Sequence, residues 1–170
     1  DFHLNLAGEY IYDGELYACQ ADPDTQKMQK RKLWVYTALM LLTVLASGSI
    51  PAPGMLGSSY VILPFLGELI AIFSVVWAVC KLGRDWNAVR EYVYERTVPA
   101  LPGRALCVAA FAAAGILCEL LYVILSGHGG QLFYAFLFVI LKVISLICAL
   151  TIRRKLKCLN WAKVPKCENQ

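Results

Sequence analysis

Glutamate and lysine side chains inside an apolar environment can hold protons or cations, and three of them interrupt the long apolar stretches of this chain. They are Glu68, Glu119 and Lys142. A charged side chain costs about 2.5–3.5 kcal/mol at the centre of a bilayer on insertion scales, so we expect all three to face a protein interior or one another. One lysine neutralises one carboxylate. The second carboxylate must then carry a proton, bind a cation or accept a hydrogen bond. The candidate donors are Tyr122, on the same helical face as Glu119, Tyr134, and a hydroxyl group from the first apolar stretch.

The candidate ligand- or ion-binding site consists of Glu68, Glu119, Lys142 and Tyr122. The sequence leaves three interpretations of this site open. Two carboxylates beside a lysine are what a proton- or cation-coupled carrier requires. The same residues also describe a structural Glu–Lys clamp with one neutral glutamate. The third interpretation is contact with another membrane subunit.

Four apolar stretches must position these residues, at about 33–49, 60–82, 105–126 and 132–152. Since a helix rises 1.5 Å per residue, about 20 residues cross the ~30 Å hydrocarbon layer. The outer links, 48–59 and 127–131, are short and contain helix breakers, which makes consecutive helices antiparallel neighbours. We therefore predict an all-α integral membrane protein whose membrane domain, 31–152, is an antiparallel four-helix transmembrane bundle of two helical hairpins.

The basic residues lie on one side of the predicted spans. Of the 16 lysines and arginines, every one except Lys142 precedes span one, lies at or between spans two and three, or follows span four. The positive-inside rule then places both termini in the cytoplasm, and we expect the plasma (inner) membrane as the location. The net charge of +4 accordingly predicts contact with anionic lipid headgroups and not with nucleic acid. We expect span one to act as an uncleaved signal anchor, and the start at Asp1 leaves residues upstream open.

Residues 1–30 are predicted to form a short cytoplasmic segment that resembles a β-hairpin. Apolar and polar residues alternate over 2–6, which is the pattern of a strand. Asp13 and Gly14 suit a type I′ turn, so 10–17 predicts two further short strands around them.

The remaining cytoplasmic segments are the connection 83–104 and the basic tail 153–170. In the connection we predict an interfacial helix that Asp85 caps, with Trp86, Val89 and Val93 on its apolar face. The predicted membrane-interface anchors are aromatic or basic residues near the ends of the spans: Trp34, Trp86, Arg153, Arg154 and Trp161.

Motifs for catalysis or cofactor binding are missing from the sequence. No histidine lies in a predicted span, which removes the usual base of an intramembrane hydrolase, and the seven cysteines form no Cys-x-x-Cys pair. His128 stands in a glycine-rich link with no cysteine or carboxylate beside it. We therefore predict no metal site, no cofactor and no enzymatic activity.

Two classes of function remain. The favoured hypothesis is a non-enzymatic accessory or scaffolding subunit of a larger membrane complex, with the N-terminal segment, the interfacial helix and the basic tail as docking surfaces. The alternative is a small carrier or ligand-binding membrane protein that uses Glu68, Glu119 and Lys142. Because four helices enclose little volume, we expect such a carrier to be a homo-oligomer.

Overall fold

Four long helices make up most of the protein. The computed structural model describes residues 2–4, 10–12, 15–83, 86, 88–126 and 132–164. The long helices, with two short ones between them, are α1 (Pro23–Ser49), α2 (Pro53–Gly57), α3 (Ser59–Leu82), α4 (Glu91–Thr97), α5 (Leu101–Ser126) and α6 (Leu132–Lys157). By length and composition α1, α3, α5 and α6 can each cross a membrane. The prediction of four helices that could span a membrane is confirmed.

Each long helix packs against two others. Helices α3 and α6 both contact α1 and α5. The side chains at these contacts are apolar and fully buried, for example Met40, Ile72, Val75 and Phe138. Large apolar side chains also cover the outward faces of the helices, among them Leu42, Ile70, Trp77, Leu117, Ile124 and Phe133. An exposed apolar surface of this extent indicates contact with lipid or with another protein.

Two small antiparallel sheets involve the ends of the chain. Strands β1 (Phe2–Leu4) and β2 (Tyr10–Tyr12) pair with each other. Strand β3 (Leu16–Cys19) is the centre of a second sheet, between β4 (Val89–Arg90) and β5 (Trp161–Val164). The predicted N-terminal hairpin within 10–17 is therefore wrong, because β2 pairs backward with β1 while β3 pairs with two distant segments. The turn residues Asp13 and Gly14 lie outside the described residues.

The predicted interfacial helix is shorter than the pattern indicated. Helix α4 begins at Glu91, while Val89 and Arg90 are extended and pair with Tyr17 and Leu16. Pairing with β3 outweighs the helical spacing of the apolar residues. The strand pairing satisfies backbone N–H and C=O groups, whereas a short helix would leave such groups at its ends without hydrogen-bond partners. The proposed cap, Asp85, lies outside the described residues.

Four aromatic residues, Tyr17, Trp86, Tyr94 and Trp161, form a cluster that we call the aromatic cap. The rings of Tyr17 and Tyr94 are stacked, with centroids 4.1 Å apart and an interplanar angle of 2°. The ring centroid of Trp161 lies 5.8 Å from the ring centroid of Trp86 and 5.8 Å from that of Tyr94. Trp86 belongs to the buried core, and Tyr94 and Trp161 pack against that core. The cap thus joins three segments of the chain that are far apart in sequence.

Candidate functional site

Glu68 on α3 and Lys142 on α6 form a buried ion pair. Lys142 Nζ lies 2.5 Å from Glu68 Oε2, and the two side chains are 1% and 0% exposed. The hydroxyl of Ser145, one turn further along α6, donates to Glu68 Oε1 at 2.7 Å. Both carboxylate oxygens therefore have a partner, which is the condition under which a buried charge is tolerated.

Aromatic rings surround the lysine end of this pair. The Nζ atom of Lys142 lies 4.6 Å from the ring centroid of Phe65 and 5.1 Å from that of Phe138. Both distances are within the range of cation–π attraction. The aliphatic part of the lysine passes near Gly115, where an added Cβ would lie 3.9 Å from Lys142 Cε. Glu68, Lys142 and Ser145 are thus a closed unit, which we call the ion-pair triad.

Glu119 on α5 is as deeply buried as the ion-pair triad but is less well satisfied. Its side chain is 0% exposed. The backbone N–H of Gly54 on α2 donates to Glu119 Oε1 over a long 3.4 Å. In the part of the chain that the structure describes, Glu119 Oε2 has no hydrogen-bond partner. A buried polar atom without a partner is costly and marks Glu119 as a candidate for a bound ligand or ion, or for another functional role.

The contact between Glu119 and the link after α1 depends on a glycine. A Cβ added at Gly54 would collide with Glu119 Oε2 and would lie 3.0 Å from the carboxyl carbon. A neighbouring pair repeats this arrangement, because a Cβ at Gly57 would collide with the hydroxyl of Tyr122. The two glycines of α2 therefore allow this short helix to approach the polar side chains of α5 closely.

An apolar groove lies beside Glu119 between α5 and α6. It has a volume of about 250 Å³, and its lining residues are Glu119, Leu120, Val123, Leu132, Ala135, Phe136 and Val139. Leu120, Leu132 and Phe136 are also exposed on the outward apolar surface. The groove thus opens sideways, toward the side that lipid would occupy if the helices cross a bilayer.

The structure divides the predicted site in two. Glu68 and Lys142 form an ion pair with each other, whereas the hydrogen bond that Glu119 accepts comes from Gly54. Tyr122 packs its hydroxyl against α2, and its ring centroid is 6.4 Å from that of Tyr60. Sequence reasoning missed the role of Ser145, whose place one turn after Lys142 was the available signal, and that of Gly54, which gave no signal beyond its ability to end a helix.

Hydroxyl groups of α1 do not extend the site. Thr37, Thr43 and Ser47 are buried, and each donates to a carbonyl oxygen of the preceding turn of α1. Such internal bonds satisfy the hydroxyl without a partner from another helix. These three buried hydroxyls therefore have their hydrogen-bond partners within α1.

The predicted interface anchors occupy different environments. Trp34 is 40% exposed, and Arg154 is exposed near the end of α6. Trp86, by contrast, is 4% exposed, and Trp161 is half-buried beside it in the aromatic cap. Arg153 is half-buried. Trp86 and Trp161 therefore contribute to packing within the protein.

An exposed ion pair connects β5, one of the two edge strands of the three-stranded sheet, to the residue before β3. Lys163 Nζ on β5 lies 2.5 Å from Oε2 of Glu15, the residue before β3. The hydrogen bond from Lys163 to the Glu15 carboxylate raises the pKa of the lysine above its ordinary value. This pair strengthens the connection between the first and last described segments of the second sheet.

Comparisons with protein-family models, with curated proteins and with solved structures found no match to this chain.

Proposed function

We propose that this chain is a non-enzymatic multi-pass membrane protein that serves as an accessory or scaffolding subunit of a larger membrane complex. The aromatic cap is the observation that carries this proposal. Residues from β3, from the segment before β4, from α4 and from β5 meet in it. Four membrane helices do not need such a structure to pack against one another, so an ordered surface at this position is better explained as a docking platform.

The proposed topology places this platform in the cytoplasm. The four long helices would cross the plasma (inner) membrane as an antiparallel bundle, with both termini inside. Exposed basic residues lie on the parts of α1, α3 and α6 that are nearest in sequence to strands β3, β4 and β5: Arg31, Lys81, Arg154 and Lys157. They would contact anionic headgroups of the inner leaflet and acidic side chains of the partner.

The ion-pair triad supports a scaffolding role. The charges of Glu68 and Lys142 neutralise each other, and the Glu68 carboxylate accepts hydrogen bonds from Lys142 and Ser145. These contacts connect α3 to α6 and would act as a clamp that fixes the two helices against each other. A clamp of this kind also gives a bundle a defined register, the best-attested use of buried ionic groups. The partner that we propose is a larger integral membrane protein, held at the cap and along the outward helix faces.

Purification from native membranes tests the proposal. We expect the intact mass of the gently solubilised particle to contain a larger membrane protein in fixed stoichiometry with this chain. Tyr94→Ala, which removes the stacked ring of the cap, should reduce recovery of that partner, whereas Glu95→Gln on the exposed face of the same helix should not. A particle that contains only copies of this chain would contradict the proposal.

A second candidate function, a proton- or cation-coupled carrier, is favoured by one observation. The unpartnered oxygen of Glu119 is what a coupling carboxyl group would present. If the particle is a homo-oligomer, uptake into vesicles with Glu68 and Glu119 variants is the next test. Glu119→Gln should then abolish uptake without loss of folded protein, and failure of this variant to accumulate in the membrane would favour a structural role for the residue.

A further inference from the structure

The two buried glutamates differ in one respect that points to a ligand. Glu68 has a partner at each carboxylate oxygen, Lys142 at Oε2 and Ser145 at Oε1. Glu119 is equally buried, but it has only the long contact from Gly54 at Oε1 and no described partner at Oε2. Among the described residues, a hydrogen-bond partner for the second carboxyl oxygen is therefore missing at Glu119 and present at Glu68.

The groove between α5 and α6 provides space for a ligand that supplies a hydrogen-bond partner for Glu119 Oε2. Glu119 is its single ionisable lining residue among those described, and the other lining residues are apolar. The volume of about 250 Å³ is slightly below the range of roughly 300–1,000 Å³ that pockets for drug-sized ligands occupy. A slender molecule that leaves part of its length among the outward side chains would fit.

We propose that Glu119 and this groove bind an amphipathic amine that enters from the bilayer. The apolar chain of such a molecule would lie against Val123, Phe136 and Val139, and its nitrogen would meet the Glu119 carboxyl group. In the structure Oε2 faces Gly54, so binding of the amine requires a rotation about the side-chain bonds of Glu119 that brings this oxygen to the groove. This inference goes beyond the proposed function because it concerns the isolated chain and requires no partner protein.

The proton balance of this binding step is simple. The neutral amine arrives with a free electron pair on nitrogen. In the proposed empty site Glu119 is a carboxylic acid, because burial without a cationic partner favours the neutral form of a carboxyl group. The O–H bond breaks, an N–H bond forms, and an ammonium–carboxylate pair results with no net change of charge. Such a charge-assisted hydrogen bond is stronger in a low-dielectric site than a bond between neutral groups. A fatty acid has no basic group that could accept the proton of Glu119, so no ion pair would form. A fatty alcohol would form only a hydrogen bond between neutral groups.

Carbodiimide protection tests this proposal on the unmodified protein. The purified full chain is placed in phosphatidylcholine nanodiscs and treated with dicyclohexylcarbodiimide, a lipid-soluble reagent that adds to protonated carboxyl groups. The acid proton moves to a carbodiimide nitrogen, and the carboxylate oxygen bonds to the central carbon without a leaving group. Intact mass and peptide mapping measure the rate at which Glu119 is modified, with and without dodecylamine as the probe and dodecanol as the chain-length control. Modified Glu119 includes both the carbodiimide adduct and the dodecyl amide that forms when the amine attacks this adduct and dicyclohexylurea leaves.

We expect Glu119 to be labelled and Glu68 to remain unlabelled. Saturating dodecylamine should slow the labelling by about tenfold or more, which corresponds to a tenfold change in occupancy of the free site, and dodecanol should have much less effect. Equal protection by dodecanol would overturn the proposal, because it would show an apolar groove without recognition of the amine. Absence of labelling, or labelling that dodecylamine does not slow, would overturn it as well.

Two variants separate the carboxyl group from the groove. Val139→Trp fills the groove and leaves Glu119 in place, so it should remove protection by dodecylamine while the isolated carboxyl group is retained. Glu119→Gln should abolish both labelling and binding of dodecylamine measured by calorimetry, and Glu95→Gln, the same change at an exposed position, should alter neither. Full protection in Val139→Trp would place the amine elsewhere and overturn the proposal. Failure of these tests would leave the partner experiment above unaffected.

Discussion

Lys142 Nζ lies 2.5 Å from Glu68 Oε2, and neither side chain is more than 1% exposed. The residues are 74 positions apart in sequence, so their contact joins α3 to α6. Ser145 and the rings of Phe65 and Phe138 complete the surroundings of the two charges. Every strong polar group in this contact has a partner, which explains how two full charges are accommodated in an apolar interior.

Removal of one member of the ion pair should be far more damaging than removal of both. Lys142→Met leaves the Glu68 carboxylate buried with only Ser145, and we expect a loss of about 3–5 kcal/mol in the free energy of unfolding. The double variant Lys142→Met with Glu68→Leu should recover most of that loss, since an apolar pair of similar volume is often neutral. Denaturant unfolding in mixed micelles measures all members of this double-mutant cycle. Additive effects of the two single variants would contradict a coupled pair.

The hydroxyl of Ser145 should contribute more than other buried hydroxyls. Ser145→Ala removes a hydrogen bond to a charged group, for which we expect a cost of about 1.5–3 kcal/mol. Ser47→Ala is the matched control, because Ser47 is equally buried but donates to the Val44 carbonyl within its own helix. Unfolding free energies of the two variants measure the difference. Equal losses would show that Ser145 acts only as a packing residue.

Gly54 should be sensitive to the smallest substitution. The Cβ of Gly54→Ala would press on the Glu119 carboxyl group, and overpacking of this kind costs about 1–3 kcal/mol. Gly103→Ala is the control: no atom lies within 4 Å of an added Cβ there, and alanine is the better helix former in α5. We expect thermal unfolding to move to lower temperature in the first variant and to stay or rise in the second.

The double variant Gly54→Ala with Glu119→Ala identifies the cause. If contact with the carboxyl group is the reason for the loss, shortening Glu119 should remove the cost of the alanine. A cost that persists in the Glu119→Ala background would assign the effect to Val61, whose Cγ2 would lie 3.0 Å from the new Cβ, or to the backbone of α2.

The Glu15–Lys163 ion pair should make the attachment of β5 sensitive to alkaline pH. Glu15 raises the pKa of Lys163 in the folded protein, so the stabilising contact is fully present below the ordinary lysine value of 10.5. It is lost as the pH rises through the higher folded value. Tryptophan fluorescence, measured in a variant that keeps Trp161 and has phenylalanine at the other three tryptophan positions, should therefore change above pH 10.5.

Lys163→Gln should remove this component of the alkaline change, and added salt should weaken it because both side chains are partly exposed. An identical fluorescence profile in Lys163→Gln would show that other groups cause the transition.

The long helices and the burial of the charges followed from the sequence alone. A run of about twenty apolar residues is a local property, and a helix satisfies its backbone within the run, so both the length and the approximate bounds of the helices are readable without tertiary information. The cost of a charge in an apolar layer is likewise a property of the single residue. It was enough to predict that Glu68, Glu119 and Lys142 avoid the outward surface, where none of them lies.

Pairings between distant segments were decided only by the tertiary structure. Strand β3 pairs with β4 and β5, and neither strand carries a pattern that selects β3 over β2 as its neighbour. The partner of Glu119 is a backbone N–H of a glycine 65 residues away, and every residue except proline has such a group. Local propensity states which conformation a segment prefers, whereas the choice of partner depends on which segments the helices bring together. This is why the sequence singled out Glu68, Glu119 and Lys142 but did not decide which glutamate pairs with Lys142 or that Gly54 contacts Glu119.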